Sequence, residues 1–145
     1  MTPTITMHLV VRDPARASDW YCSVLGAQEL QRITLPGGKV MSIELQFGDS
    51  RLSIADEFPE LGVVSPQTLG GTYGALHLAT DDVDTLWRRV IAAGAEVFEP
   101  LQDAFWGDRT GQIIDPFGHR WAFDQHLRDV PPDEIARLAA EAFSQ

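Results

Sequence analysis

Apolar and polar residues alternate with a period of two in eight short stretches of this chain, and recur at helical spacing in two longer ones. The first stretch, Thr4 to Val11, puts Met7, Leu9 and Val11 on one face and Thr6, His8 and Val10 on the other. A helix is predicted next: Asp13 suits its N-cap, Pro14 its first position, and Gly26 the left-handed residue that closes it. Strands are then expected over Gln28 to Leu35, Val40 to Phe47 and Arg51 to Ala55, with Pro36-Gly37-Gly38 and Gly48-Asp49 as the turns. Thr72 to Thr80 starts the order again as a strand. Asp82 caps a helix carrying Val83, Leu86, Trp87, Val90 and Ile91 on one side and ending at Gly94. Strands over Glu96 to Leu101, Thr110 to Ile114 and His119 to Phe123 follow, the last two joined by the tight turn Asp115-Pro116-Phe117-Gly118.

Both halves therefore read βαβββ, and they match residue against residue. His8-Leu9 corresponds to His77-Leu78, Asp13 to Asp82, Gly26-Ala27 to Gly94-Ala95, Phe47-Gly48 to Phe117-Gly118 and Arg51 to Arg120, at offsets of 68 to 70 residues. A nearly constant offset across five pairs marks an internal repeat. The expected organisation is one domain over 1–145, made of a module at 4–56, a linker at 57–71, a second module at 72–125 and a tail at 126–145. Pro131-Pro132-Asp133 opens a short helix in that tail, with Ile135, Leu138, Ala139 and Ala142 along one side.

Composition narrows the function classes. A chain of 145 residues with 44% hydrophobic and 22% charged residues makes one compact domain and has no run long enough to span a bilayer. The formal net charge of -10 and a pI near 4.6 exclude nucleic acid and anionic membrane as expected partners, because both demand clustered Lys and Arg. The N-terminal residues read as a first strand with no signal-peptide pattern, so a cytoplasmic location is expected. Cys22 is the single cysteine and lies in a helical pattern, where a packed thiol is expected. The sequence holds no nucleophile triad, no phosphate-cradling glycine loop and no CxxC motif.

The duplicated βαβββ unit, the helix end with Trp20-Tyr21 and Leu25-Gly26, and the run GDRTGQIIDPFGHRW together resemble the vicinal oxygen chelate superfamily, of the glyoxalase, bleomycin-resistance and dioxygenase type, over residues 4–125. The likeness is strongest to members of unassigned activity. It implies an α+β fold in which two tandem modules form a curved mixed sheet around a cavity, with helices outside, and it implies a homodimer. Metal-dependent members hold a divalent cation with histidines and carboxylates on the inner face. Carried onto this chain, those positions fall at Thr6, Ser53, Ala75 and Ala122, none of which is a competent ligand.

Strand alternation places a mixed polar set on that inner face: Thr6, His8, Ser42, Glu44, Gln46, Arg51, Ser53, His77, Gln112, Arg120 and Asp124. Small and hydrogen-bonding side chains together suit a ligand cavity better than a solvated face or a core. His8, Glu44, His77, Trp106, Arg109, Gln112, Arg120 and Asp124 are the candidate ligand contacts. Each has a plainer alternative. The histidines can be polar residues where modules pack, Trp106 a packed loop residue beside Phe105, and Arg109 a partner of Asp108. Glu44 is read as a pocket acid, with general base as its alternative role. The leading expectation is a protein that binds a small organic molecule, aromatic or cationic, without a cofactor. The alternative is a lyase, isomerase or dioxygenase using a divalent metal ion held at a displaced site by His8, His77 and Glu44.

Overall fold

The computed structural model describes residues 1–144. Its elements are β1 (Met7–Val10), α1 (Pro14–Leu25), β2 (Gln28–Thr34), β3 (Val40–Phe47), β4 (Ser50–Ala55), α2 (Pro66–Leu69), β5 (Ala75–Ala79), α3 (Val83–Ala92), β6 (Glu96–Asp103), β7 (Asp108–Ile114), β8 (Arg120–His126) and α4 (Pro132–Ala142). They build two four-stranded mixed sheets of the same topology, ordered β1-β4-β3-β2 and β5-β8-β7-β6. In each, the first strand runs parallel to the fourth and the remaining pairs are antiparallel. The fold is α+β, and the tandem repeat is visible in the strand order itself.

The helix ends form as their sequences require. Asp13 accepts a hydrogen bond from the Arg16 N–H at 3.2 Å, and Gly26 closes α1 at φ 76°, where a side chain would be strained. Asp82 does the same for α3 through the Thr85 N–H at 3.2 Å. One face of each sheet packs on its helix. Leu9, Val11, Ile43, Leu45, Leu52 and Ile54 are buried in the first, and Val83, Leu86, Val90, Ile113, Trp121 and Phe123 in the second. Trp87 reaches β7 at Gly111, where a Cβ would come within 2.7 Å of its ring, so only glycine admits that ring there. Met7, on the same face of β1 as the buried Leu9, is 48% exposed.

The chain divides into two compact units that cut across the sequence modules. Unit 1 is Met1–Tyr73 together with Asp115–His119; unit 2 is Gly74–Ile114 and the chain from Arg120 onward. The segment expected to link the modules is folded into unit 1. Phe58 bridges to Val63, Pro59–Leu61 makes a 3-10 turn, and Ser65 caps α2 through the Thr68 N–H. Glu57 fastens this segment by accepting from the Ser65 N–H at 2.8 Å and from the Thr68 hydroxyl, with Arg12 at 4.0 Å. The turn Asp115–His119 is held in unit 1 by a buried carboxyl. One Asp115 oxygen accepts from the N–H groups of Phe117 and His119 at 2.8 and 3.0 Å, and the other accepts from the Tyr21 hydroxyl at 2.5 Å. Phe117 packs edge-on against Tyr21 and Trp20, and the His119 ring meets the Val10 carbonyl at 2.9 Å.

Two consequences are measurable. Asp115→Ala leaves buried donors unpaired and should cost about 2–4 kcal/mol in urea unfolding, with Tyr21→Phe costing about 1–2 kcal/mol. Those hydrogen bonds, the Thr68 hydroxyl first, hold Glu57 down from its ordinary 4.5 to about 2. A lowered folded pKa stabilises above the unfolded value, and that stability is lost as pH falls from 4.5 toward about 2. Melting curves across that range should therefore drop less steeply in Glu57→Gln than in the parent protein.

Candidate functional site

The face of each sheet turned away from its helix carries the polar residues, and strand register sets them in rows. In unit 1, His8 pairs with Ser53, Ser53 with Glu44, and Glu44 with Gln31, so one row crosses all four strands. The His8 Nδ1 lies 2.8 Å from the Ser53 hydroxyl, and Arg51 Nη1 donates to Glu44 Oε1 at 3.0 Å. Beside this row is a cavity of about 220 Å³ lined by Thr6, Gln31, Ile33, Ser42, Glu44 and Ser53. Among the described residues, the side chains of Thr6, Gln31 and Ser42 and the second oxygen of Glu44 have no hydrogen-bond partner. A larger cleft of about 610 Å³ follows the open edge of β1, where His8 and His119 meet Pro66, Leu69 and Tyr73.

Unit 2 repeats the row with different chemistry. His77 pairs with Ala122, Ala122 with Gln112, and Gln112 with Glu99. His77 Nδ1 lies 2.7 Å from Asp124 Oδ2, and the Thr110 hydroxyl donates to Asp124 Oδ1 at 2.6 Å. The Arg120 guanidinium lies over the Phe98 ring, 4.8 Å from its centre. Gln112 Oε1 and Arg120 Nε are buried polar atoms without a hydrogen-bond partner. His8, Glu44, Gln112, Arg120, Asp124 and His77 thus all stand on the polar faces, each within its own unit.

Arg109 and Trp106 stand elsewhere. Arg109 is one residue out of step with Thr110 and Gln112, so it projects to the helix side of unit 2. There it donates to Asp84 of α3 at 2.9 Å and to Asp103 at 3.0 Å, which lowers the Asp84 carboxyl and raises the guanidinium. The anticipated Asp108–Arg109 pair is absent: Asp108 faces His126 at 3.1 Å, whose imidazole is raised by Asp108 first and Asp129 second. Trp106 is 39% exposed and stacks edge-on against Phe105 at 5.0 Å.

Two residues of these faces escape sequence reasoning, and a third was passed over. In β2 the register shifts between Glu29 and Gln31, and in β6 between Val97 and Glu99. A bulge reverses strand parity, so Gln31 and Ile33 join Ser42 and Glu44 on the polar face although simple alternation from Glu29 puts them with the wrong neighbours. Thr110 was within reach of the alternation argument, since it shares parity with Gln112; only its bond to Asp124 gives it a role.

The positions that would hold a divalent cation do not fit one. Thr6 and Ser53 offer hydroxyls and Ala75 and Ala122 methyl groups. Among the described residues no group of three or more His, Cys, Asp and Glu side chains gathers at metal-binding distance. Among the described residues no helix is long and apolar enough to cross a membrane.

A family model described as the Glyoxalase/Bleomycin resistance protein/Dioxygenase superfamily matches residues 4–123. An uncharacterized protein of Mycobacterium bovis is 40% identical over 136 residues, which cover 92% of this chain and 90% of that protein. Of the solved structures, TioX from Micromonospora sp. ML1 is 30% identical with a TM-score of 0.66, covering 87% of this chain and 100% of TioX. TnmS3, described as an antibiotic binding protein from Streptomyces sp. CB03234, is 24% identical with a TM-score of 0.63, covering 87% of this chain and 98% of its own. At that identity the likeness to TnmS3 is one of fold.

Proposed function

Because this chain belongs to the Glyoxalase/Bleomycin resistance protein/Dioxygenase superfamily, we propose that it is a cytoplasmic homodimer that binds a small organic molecule on its polar sheet faces and uses no resident metal. The observation that carries this reading is the unit 1 cavity. Three hydroxyls, a carboxamide and a carboxylate line about 220 Å³, and most of them have no partner within the protein. A concavity lined by several hydrogen-bonding side chains offers directional contacts to a small molecule.

The donor set also indicates ligand chemistry. Glu44 is the one charged group in the cavity lining, with one oxygen paired to Arg51, and the chain carries a formal net charge of -10, so a cationic or amine-bearing ligand is favoured over an anion. TnmS3, an antibiotic binding protein by description, illustrates what the fold accommodates; the assignment here rests on the cavity. The dimer is supported by apolar side chains left open on both units, with Met7 48%, Met41 46%, Val97 47% and Phe98 51% exposed.

A thermal-shift screen with cationic aromatic antibiotics should raise the melting temperature, and Glu44→Gln should weaken the best ligand about 10- to 100-fold, the worth of a charged hydrogen bond. An unchanged affinity in Glu44→Gln would remove the cavity from the binding account. Elemental analysis of protein purified without chelator should find no stoichiometric metal; a stoichiometric divalent ion that is lost in His77→Ala would overturn the metal-free reading. Sedimentation should give about twice the 16.0 kDa chain mass, and a monomer at micromolar concentration would exclude the dimer.

A further inference from the structure

We propose that the cleft along the open edge of β1 is a second binding site, which takes a short, extended, uncharged peptide by adding it as a strand to the sheet of unit 1. The argument starts with backbone direction. In an extended strand the N–H and C=O of one residue point to the same side, and those of its neighbours to the other. The Val11 N–H donates to the Ala55 carbonyl of β4 at 2.9 Å, so the backbone groups of Leu9 also face β4 and those of His8 and Val10 face away. On that far side His119 Nε2 meets the Val10 carbonyl at 2.9 Å. Among the described residues, the N–H groups of His8 and Val10 and the carbonyl of His8 have no partner.

Open strand edges are usually blunted by a lysine, a proline or a bulge. The run Met7-His8-Leu9-Val10 has none of these and pairs with β4 in unbroken register. A cleft of about 610 Å³ follows it instead, within the range that holds small ligands. Val64, Pro66, Leu69 and Tyr73 give the cleft apolar surface, and the last two are 71% and 98% exposed. An added strand can lay every second side chain on that surface. All of the lining belongs to unit 1, so the site is complete within it.

Charge selects the occupant. No Asp, Glu, Lys or Arg lines this cleft, although the chain carries a formal net charge of -10 and Glu44 lines the other cavity. A charged ligand would lose hydration there and find no counterion, so a neutral one is favoured. The edge then favours a peptide over a hydrocarbon, because covered N–H and C=O groups need partners and an extended chain supplies both at strand spacing. Laid antiparallel, the ligand residue opposite His8 exchanges two hydrogen bonds with it. The residue opposite Val10 receives one, since His119 already takes that carbonyl.

The probe is a blocked, uncharged pentapeptide alternating valine and threonine, titrated into the intact protein. In 1H–15N spectra the His8 and Val10 amides should exchange rapidly with solvent before addition and about tenfold more slowly near saturation, with Leu9 protected throughout. N-methylation of every second peptide residue should weaken binding at least about tenfold in one phase, by removing donors from the edge, and leave it intact in the other. Leu69→Ser and Tyr73→Ala, both at exposed positions, should weaken it several-fold with the melting temperature unchanged. Glu44→Gln should leave it unaltered, so failure here is separable from failure of the cationic site. No binding of the unmodified peptide, or equal binding of the two N-methylated forms, overturns the proposal. So does protection of His8 and Val10 that already rises with protein concentration in the free protein, because a second copy then covers the edge.

Discussion

A single buried carboxyl group has to be satisfied before much else in unit 1 can be arranged. Asp115 is 3% exposed, and its two oxygens collect the Tyr21 hydroxyl and the N–H groups of Phe117 and His119. Polar groups that deep are tolerated only when bonded, so the turn must keep the conformation that points both N–H groups inward, and α1 must keep the rotation that points Tyr21 at it. From there the constraint spreads outward. With the turn fixed, Phe117 packs between Trp20 and Tyr21, and His119 reaches the Val10 carbonyl at the open edge of β1. That same edge borders the cleft containing His8.

Much of this fold can be read from the chain because it is built by local rules. Capping by Asp13 and Asp82 and the glycine stop after α1 are local, and strand alternation sorts Leu9, Leu52, Ile54, Trp121 and Phe123 correctly to the helix side. What escapes is whatever depends on pairing. The bulge at Leu30 leaves no mark in composition, yet it decides on which face Gln31 and Ile33 emerge. The segment after Ala55 reads as a connection because its prolines and glycines break periodicity; Glu57 supplies the hydrogen bonds that order it, and those are made to residues eight and eleven positions away. Arg109 illustrates the same limit, since its partner Asp84 lies on a helix 25 residues earlier.

The candidate site follows that division. Its residue types were legible, because small and hydrogen-bonding side chains on one strand face are unusual for either core or solvent. Its bonding was not. His8 and His77 look equivalent in sequence, and only the structure separates an imidazole beside a hydroxyl from one beside a carboxylate. Duplication gave two similar scaffolds, and differences such as Ser53 against Ala122 and Ala55 against Asp124 make the surroundings of the two imidazoles unlike.

The tie between Tyr21 and Asp115 spans 94 residues of chain. During vectorial synthesis on a ribosome, the N-terminal βαβββ segment emerges complete in its strands and helix, yet it lacks the turn that fills its interior next to α1. Loop-closure entropy of that size must be met before the contact forms, so the first module waits, incompletely packed, for nearly the whole polypeptide to appear. A repeat that looks on paper like two self-sufficient cassettes is therefore obligately joint in its folding. Truncation after the first module should yield a sticky intermediate, a burden for chaperones more than a functional half.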